Sequence, residues 1–248
     1  MKATLTLFLF VLIGTGSTIF SQTVTIGTQV WMTKNLDVAT FRNGDPIPEA
    51  KTKEEWTKAG QNKQPAWCYY DNDPANGAKY GKLYNWFAVN DPRGLAPIGY
   101  HVPTDPEWTK LTDFLGGIGV AGAKMKSKSG WNSYTSGGSK TCPKCANWNA
   151  EYRRKVPCHT CQDTRSVSAP KVTNSGNGTN TSGFTGLPGG GRTGSGAFGG
   201  QGNDGWWWSA SEGNADDAYL RGLDKHDNYL FGSNYDEEEG CSVRCLRD

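Results

Sequence analysis

Hydrophobic and polar positions alternate with a period of two at the start of the chain. Val24 and Ile26 precede a Gly27-Thr28 turn, and Val30 and Met32 follow it. Because successive side chains of a strand point to opposite faces, this alternation predicts a β-hairpin with one apolar face.

Helical spacing follows at three places. Residues 52–55 (Thr-Lys-Glu-Glu) and 104–107 (Thr-Asp-Pro-Glu) each have the Thr and Glu of a capping box. Their side chains accept hydrogen bonds from amides that a helix start leaves free, so both boxes predict a helix start. The apolar positions of the second helix are Trp108, Leu111 and Leu115, and those of a third helix within residues 81–89 are Leu83, Trp86 and Phe87.

From residue 183 onwards, short apolar runs alternate with glycine-rich turns, a pattern typical of strands. The predicted strands are Phe184–Leu187, Gly205–Ser211, Ala218–Leu223, Tyr229–Phe231 and Cys241–Leu246. The second of them contains three adjacent tryptophans, of which Trp207 points one way while Trp206 and Trp208 point the other. Trp207 is expected in the core. Trp206 and Trp208, on the opposite face, are expected to pack against either a second layer of the protein or a ligand.

Composition favours strands and long turns around a single core. The 248 residues include 33 glycines, 12 prolines and 10 tryptophans, which indicates neither a disordered nor a collagen-like chain. The net charge of +2 conceals an acidic end, because residues 203–248 hold 11 Asp and Glu against 4 Lys and Arg. An acidic region rich in aromatic residues suits sugars, cations or basic proteins, and no nucleic-acid partner is expected.

Residues 1–21 have the pattern of a secretory signal peptide. Lys2 precedes the apolar run Leu5–Ile13, and small and polar residues follow up to an expected cleavage after Ser21. The alternative is a buried N-terminal helix. The run is too short to span a bilayer, and no later segment approaches that length. We therefore expect residues 22–248 to be secreted or displayed at the cell surface without membrane insertion.

Four cysteines mark an insert within residues 134–173. Cys142, Cys145, Cys158 and Cys161 form two C-x2-C pairs separated by twelve residues, a spacing that lets four thiolates surround one Zn²⁺. Such a closed site is structural, and an insert with few apolar residues needs a cross-link of this kind. Two disulfides are the alternative in an oxidising compartment. A redox role is disfavoured, because no thioredoxin-like context surrounds the pairs.

Two further groups have open interpretations. Asp71, Asn72, Asp73 and Asn76 have the oxygen density of a calcium loop without the spacing of an EF-hand, and an Asx-turn is the simpler interpretation. A disulfide between Cys68 and Cys245 would join a central strand to the last strand, with buried free thiols as the alternative. Cys241 is the odd cysteine.

The C-terminal third interleaves aromatic rings with Asp, Asn and Arg side chains. Flat rings supply contact area at low entropy cost, and the polar groups supply directed hydrogen bonds, which is typical of sugar or protein recognition. Tyr219 and Phe231 are expected in the core. The expected ligand-binding residues are Trp206, Trp208, Asp216, Asp217, Arg221, Asp224, His226, Tyr229, Asn234 and Tyr235. No catalytic residue is predicted, because no histidine stands in a motif with a nucleophile and no carboxylate pair is marked as buried.

Five segments carry a resemblance to a known family. They are 80–86 (YGKLYNW), 99–108 (GYHVPTDPEW), 182–190 (SGFTGLPGG), 207–211 (WWSAS) and 242–248 (SVRCLRD). On these segments the chain resembles the Fibrobacter succinogenes major paralogous domain over nearly all of residues 23–248, which implies export from a bacterial cell. That family usually has an apolar or aromatic residue where Cys241 stands.

Residues 102–108 and the closing strand also look like those of the formylglycine-generating sulfatase-modifying fold, in the C-type-lectin-like group. This weaker resemblance implies an α+β fold with two main short helices packed on twisted antiparallel strands. It also implies adjacent N- and C-terminal strands, and a ligand held by the last third of the chain.

Together these observations predict a single lectin-like α+β domain over residues 22–248, with a structural zinc insert. The expected function is non-catalytic binding of a carbohydrate. The alternatives are a cell-surface adhesin or structural protein that binds other proteins, and an enzyme derived from the sulfatase-modifying scaffold.

Overall fold

A computed structural model describes residues 22–138, 140–142, 166–167 and 170–248. The first half contains β1 (Thr23–Ile26), β2 (Gln29–Met32), α1 (Lys53–Gln61), β3 (Trp67–Cys68), a 3-10 turn (Tyr70–Asn72), α2 (Pro74–Tyr80), β4 (Leu83–Tyr84), α3 (Trp86–Val89), β5 (Tyr100–His101), α4 (Asp105–Phe114) and α5 (Ile118–Met125). The second half contains β6 (Tyr134–Gly137), β7 (Lys140–Thr141), β8 (Ser166–Val167), β9 (Lys171–Asn174), β10 (Gly191–Arg192), β11 (Phe198–Gly199), β12 (Asp204–Glu212), β13 (Asp217–Asp224), β14 (Leu230–Asp236) and β15 (Leu246–Arg247). Within these ranges, no helix combines the length and the apolar character needed to cross a membrane.

The named strands pair in small antiparallel sheets. A four-stranded sheet has the order β1-β2-β15-β5, a three-stranded sheet has the order β12-β13-β14, and the remaining strands form the pairs β3-β4, β6-β9, β7-β8 and β10-β11. The predicted hairpin is confirmed as β1 and β2, whose ends meet where Ile26 faces Gln29. Because β15 lies between β2 and β5, the N- and C-terminal strands are adjacent. The fold is α+β.

Both predicted capping boxes are present. At α1 the Glu55 amide donates to the Thr52 hydroxyl at 3.1 Å, and the Glu55 carboxylate accepts from the Thr52 amide at 2.9 Å. At α4 the Glu107 carboxylate accepts from the amide and hydroxyl of Thr104, each at 2.8 Å. These local hydrogen bonds fix where the two helices begin.

The predicted helix over residues 81–89 is only half right. Leu83 lies in β4, and the helix α3 begins at Trp86, after Asn85 has capped it by accepting a hydrogen bond from the Ala88 amide. The preceding residues stay extended because the amide and carbonyl groups of Tyr84 both pair with Cys241. A long-range backbone pairing has therefore overridden a local helical spacing.

The segment around Asp73 is a helix start. The Asp73 side chain accepts from the Ala75 amide at 2.9 Å and caps α2, while Asp71 and Asn72 have positive φ in the turn before it. This geometry is that of the Asx-turn interpretation. Neither α2 nor α5 is among the helices that the sequence pattern predicts.

Strand β12 lies between two apolar clusters. Trp207 is fully buried in one of them, together with Trp31 and Trp108. Trp208 is fully buried in the other, and its Nε1 donates a hydrogen bond to the carbonyl oxygen of Tyr84 at 2.8 Å. The middle of β12 therefore has core on both faces.

The burial of Trp208 corrects the expectation that it belongs to an exposed binding surface. The indole is covered by residues of the β4 and α3 region, including Trp86, which donates from its own Nε1 to the carbonyl oxygen of Ser209 at 2.9 Å. Of the two alternatives for this face of the strand, the second packing layer applies to Trp208. Trp206 remains half-buried.

The predicted disulfide between Cys68 and Cys245 is wrong in this structure. Both are free, buried thiols and belong to different apolar clusters, so the alternative interpretation applies. Burial raises the pKa of the Cys68 thiol to about 11 and that of Cys245 to about 12, and both thiols are therefore protonated at neutral pH. Cys241 is likewise buried and free.

The expected zinc ligands Cys145, Cys158 and Cys161 lie outside the described residues. Cys142, at the near end of that insert, is described and buried. Within the described ranges, no group of three or more His, Cys, Asp or Glu side chains is placed to hold a metal ion. The zinc site over the four cysteines stays a prediction.

Candidate functional site

The three-stranded sheet sorts the C-terminal side chains onto two faces. Across its strands, Trp206, Gly222 and Phe231 stand opposite one another, as do Trp207, Arg221 and Gly232. Because neighbouring residues of a strand point to opposite faces, the first row shares one face and the second row shares the other. The expected binding residues are divided between these faces.

The first face borders a cleft of about 210 Å³, here named the Trp206 cleft. Its side-chain lining comes mainly from β12, β13, β14 and the segment after β14, and its remaining wall is glycine-rich backbone of β10 and β11. The lining side chains used below are Asp204, Trp206, Leu220, Tyr235, Glu239 and Cys241. The absence of side chains at Gly191 and Gly199 keeps the opposite wall open.

Aromatic contacts hold Trp206 in place at this cleft. Its ring meets Phe231 edge-on, with centroids 5.0 Å apart, and lies 5.6 Å from the ring of Tyr235. Phe231 packs directly over Gly222, where a Cβ atom would lie 2.1 Å from the phenyl ring. Gly222 therefore lets Phe231 reach Trp206, and the two neighbours fix an aromatic wall at the cleft.

Two carboxyl groups meet at the end of the same strand pair. Asp204 and Asp224 are register partners of β12 and β13. Burial, together with the hydrogen bond and charge of Asp224, raises the pKa of Asp204 to about 6. Burial opposes the ionisation of Asp224 too, but hydrogen bonds from the amide and ring of His226 outweigh it and lower the pKa of Asp224. The pair therefore carries its negative charge on Asp224 and retains a proton on Asp204 up to about pH 6.

Glu239 is the second carboxyl group that lines the cleft. Burial raises its pKa, the amide of Gly194 at 3.4 Å acts in the opposite direction, and the neighbouring charges of Asp236 and Glu238 raise it further. Arg192 also borders the cleft, but its guanidinium donates to the carbonyl oxygens of Ala50, Thr52 and Gly196. The arginine charge is thus engaged with backbone oxygens and does not form an ion pair with Glu239.

The opposite face has a shallow pocket of about 270 Å³, the Arg221 pocket, lined by Asp105, Ile118, Tyr219, Arg221, Tyr229, Leu230, Phe231 and Gly232. Arg221 is buried, and its NH2 group donates to the Asp105 carboxylate at 2.5 Å and to the Thr109 hydroxyl at 3.0 Å. Its Nε is buried without a hydrogen-bond partner. The guanidinium joins β13 to the start of α4, and its charge is already balanced.

The structure thus divides the ten expected binding residues. Trp206 and Tyr235 line the Trp206 cleft. Asp224 lies next to it as the register partner of the lining residue Asp204, and His226 is hydrogen-bonded to Asp224. Arg221 and Tyr229 line the Arg221 pocket. Asn234 shares that second face, as the register partner of Tyr219. Tyr219 and Phe231, expected in the core, are only half-buried.

Two of the expected residues lie at the far end of the sheet. Asp216 forms an exposed ion pair with Lys63 at 3.2 Å, and Asp217 accepts from the Asn214 amide group at 2.6 Å. Neither residue lines the Trp206 cleft or the Arg221 pocket. The Asp217 side chain closes the turn between β12 and β13, whereas the Asp216 side chain faces Lys63.

Sequence reasoning missed Asp204 and Glu239. Asp204 follows a glycine-rich turn and Glu239 ends an acidic run, so both resemble solvated surface charges in the sequence. The only available signal for Asp204 is its position at the first residue of the tryptophan strand. Chemically, the cleft can stack a flat or apolar ligand face and accept hydrogen bonds from ligand donors.

No curated protein and no solved structure matches this chain. The model of one protein family, described as the Fibrobacter succinogenes major domain, matches residues 24–247. That match covers both faces of the β12-β13-β14 sheet, the Trp206 cleft and the Arg221 pocket. The chain therefore belongs to the Fibrobacter succinogenes major domain family.

Proposed function

We propose that this protein is an exported, lectin-like binding protein that holds a carbohydrate in the Trp206 cleft. The observation that carries the proposal is the meeting of a fixed aromatic wall, Trp206 and Tyr235, with the carboxyl groups of Asp204 and Glu239 in one cleft. Sugar rings have an apolar face that stacks on aromatic side chains, and hydroxyl groups that pair with carboxylates.

The size of the cleft supports a small binding epitope. Its volume of about 210 Å³ lies below the range of roughly 300–1,000 Å³ typical of pockets for drug-sized ligands. A single sugar ring at the end or branch of a glycan is the ligand that suits this volume. The open glycine-rich wall leaves room for the rest of the chain to extend into solvent.

Two exposed tyrosines offer a matched test of this proposal. Tyr235 lies at the cleft with 38% of its surface exposed, and Tyr229 lies at the Arg221 pocket with 41% exposed. On a glycan array, Tyr235→Ala should lose binding by about tenfold, because a stacking contact of about 1.4 kcal/mol is removed. Tyr229→Ala should bind like the parent protein. A flat array for the parent protein, or an equal loss in both variants, would refute the proposal.

A second candidate function, glycoside hydrolysis, is favoured by one specific observation. Burial and the contact with Asp224 keep the pKa of Asp204 at about 6, a value suited to a general acid near neutral pH. Turnover of a panel of 4-nitrophenyl glycosides that disappears in Asp204→Asn would establish this activity. Binding without turnover would leave the lectin-like proposal.

The lectin-like domain of the proposal spans residues 22–248 and includes the insert at 134–173 with a structural zinc ion. Protein purified without chelator should contain about one zinc per chain, and Cys158→Ser should lose it. Zinc-free protein with no free thiols in the insert would instead support two disulfides.

A further inference from the structure

We infer that the sugar bound in the Trp206 cleft carries a free, positively charged amino group, as in a non-acylated amino sugar. The inference rests on the proposed carbohydrate binding and specifies its ligand. Its basis is the placement of two part-buried carboxyl groups, Asp204 and Glu239, beside the rings of Trp206 and Tyr235 in one cleft.

The first step concerns the charge balance of the cleft. Two other part-buried carboxylates near this sheet have a basic neighbour, Asp105 with Arg221 and Asp224 with His226. Among the described residues, the ion pairs involve neither Asp204 nor Glu239. A carboxylate that is partly removed from water is costly unless it is paired, so a cationic ligand supplies what the cleft lacks.

The second step concerns the groups that face Asp204 from each neighbouring element. Asp224 from β13 holds it by a hydrogen bond, and the turn after β13 brings His226 and Lys225 near enough to favour its ionised form slightly. His226 is already bonded to Asp224 at 2.7 Å. On the cleft side, burial raises the pKa of Tyr235, and the nearby groups Cys241, Glu239 and Asp204 raise it further. The Asp204 carboxyl therefore has no ion pair with a basic side chain on its cleft side.

The third step concerns the rings. A cation near the face of a tryptophan or tyrosine is attracted by the negative potential of the ring, and this attraction adds to that of a nearby carboxylate. Trp206 and Tyr235 are held 5.6 Å apart with their planes tilted by 57°. An ammonium group on a sugar ring stacked at this wall lies within reach of both the rings and the carboxyl groups.

The same geometry gives the binding a distinct pH dependence. An ammonium group next to Asp204 favours the ionised carboxylate, so affinity should rise as the pH increases through about 6, the pKa of Asp204. Affinity should fall again above about pH 8, where an amine with electron-withdrawing neighbours loses its proton. A neutral sugar needs neither an ionised Asp204 nor a protonated amine, so its affinity should vary less with pH.

The test compares two ligands with the same sugar backbone, one with charged amino groups and the other with neutral acetamido groups. A trimer of β-1,4-linked glucosamine and its fully N-acetylated counterpart are titrated into the full chain by calorimetry at pH 5, 7 and 9. At pH 7 we expect the amine to bind about tenfold more tightly than the acetylated trimer. The preference should shrink at pH 5 and at pH 9.

Three variants assign the effect to the cleft. Asp204→Asn and Glu239→Gln should each reduce the preference for the amine, and Asp216→Asn, an exposed carboxylate outside the cleft, should leave it unchanged. The use of two cleft variants covers the case in which one of them fails to fold. Circular dichroism spectra of all three establish that a lost preference is not lost structure.

The outcomes separate this inference from the proposed function. Equal binding of the two trimers, or preference for the acetylated one, overturns the amino-sugar inference and leaves carbohydrate binding intact. If neither trimer binds while a neutral glycan binds on the array through Tyr235, the inference is also overturned. If only lysine-containing peptides bind at the cleft, both the inference and the carbohydrate proposal fail.

Discussion

The two faces of the β12-β13-β14 sheet are similar in composition, but they differ in whether their acidic groups are paired with a basic side chain. Each presents one exposed tyrosine, Tyr235 on the first face and Tyr229 on the second, and each has acidic groups nearby. At the Arg221 pocket the acid Asp105 is paired with a buried arginine. At the Trp206 cleft, Asp204 instead meets another carboxyl group, that of Asp224.

This difference indicates that charge pairing, and not aromatic content, separates the proposed binding site from the structural contact on the other face. The ion pair of Arg221 joins a strand to a helix start and is complete without a ligand. Among the described residues, the two carboxyl groups that line the cleft, Asp204 and Glu239, take part in no ion pair. The difference between the faces is therefore best tested by substituting residues on one face while matched residues on the other face serve as controls.

The largest expected effect separates the core tryptophan from the cleft tryptophan. Trp208→Ala removes a fully buried ring and its hydrogen bond to Tyr84, and it should lower the free energy of unfolding by about 3–5 kcal/mol. Trp206→Ala removes a half-buried ring and should cost clearly less stability while abolishing glycan binding. Urea denaturation of both variants gives the comparison, and equal losses of stability would contradict it.

Two glycines on opposite faces provide the next test. A Cβ atom at Gly222 would lie 2.1 Å from the Phe231 ring, whereas at exposed Gly232 it would lie 2.6 Å from the NH1 atom of Arg221. Gly222→Ala should cost about 1–3 kcal/mol of stability through overpacking, and it should weaken glycan binding because Phe231 supports Trp206. Gly232→Ala should cost less and leave binding unchanged. Unchanged binding in Gly222→Ala would show that Phe231 does not position the cleft.

The paired face should respond to loss of its acid without any effect on binding. Asp105→Asn leaves buried Arg221 without its carboxylate partner, which should reduce the free energy of unfolding by about 1–2 kcal/mol. Chemical denaturation measures this loss. Affinity for the glycan should stay the same, since the Arg221 pocket lies on the other face, and a change of affinity would mean that the two faces are coupled.

The elements that sequence patterns predicted correctly depend on local interactions. The hairpin of β1 and β2 and the starts of α1 and α4 follow from turn residues and capping boxes whose partners lie within a few positions. Helix α5 was not predicted, because it follows Gly117, which makes no side-chain cap, and contains two glycines of low helix propensity. Its Gly122 lies against the backbone of Asn228, whose carbonyl oxygen accepts from the Gly122 amide at 2.9 Å. That long-range contact requires a glycine and leaves no local signal.

The same distinction applies to the candidate site. Composition and strand alternation identified Trp206 and Tyr235. Alternation places Trp206 and Trp208 on the same face, however, and does not show that Trp208 alone is buried. That difference arises because Tyr84 and Trp86, from another part of the chain, pack with Trp208 in a buried cluster. Asp204 could not be distinguished from surface acids such as Asp216, because its partner Asp224 comes from the next strand. The role of a residue whose partner lies on a neighbouring strand depends on how the two strands pair. The sequence around that residue does not reveal this pairing.

The smallest expected effect is the pH dependence of stability caused by Asp204. An aspartate in an unfolded chain has a pKa of about 3.9, whereas burial and the contact with Asp224 raise that of folded Asp204 to about 6. The folded state therefore holds this proton more tightly, and its contribution to stability is full below about pH 4 and is lost as the pH rises to about 6. Asp224, with its lowered pKa, contributes in the opposite sense, and this contribution is lost as the pH falls.

Asp204→Asn isolates the contribution of Asp204, because an amide can donate the hydrogen bond to Asp224 but does not titrate. The stability of the variant relative to the parent protein should rise between pH 4 and pH 6 and stay constant above that range. The change should be modest, since both carboxyl groups are partly exposed to solvent. Urea denaturation at pH 4, 5, 6 and 7 measures it, with Asp216→Asn as the control that should show no such rise. A constant difference across this range would mean that Asp204 ionises normally, and the contrast between an unpaired cleft and a paired face would lose its electrostatic basis.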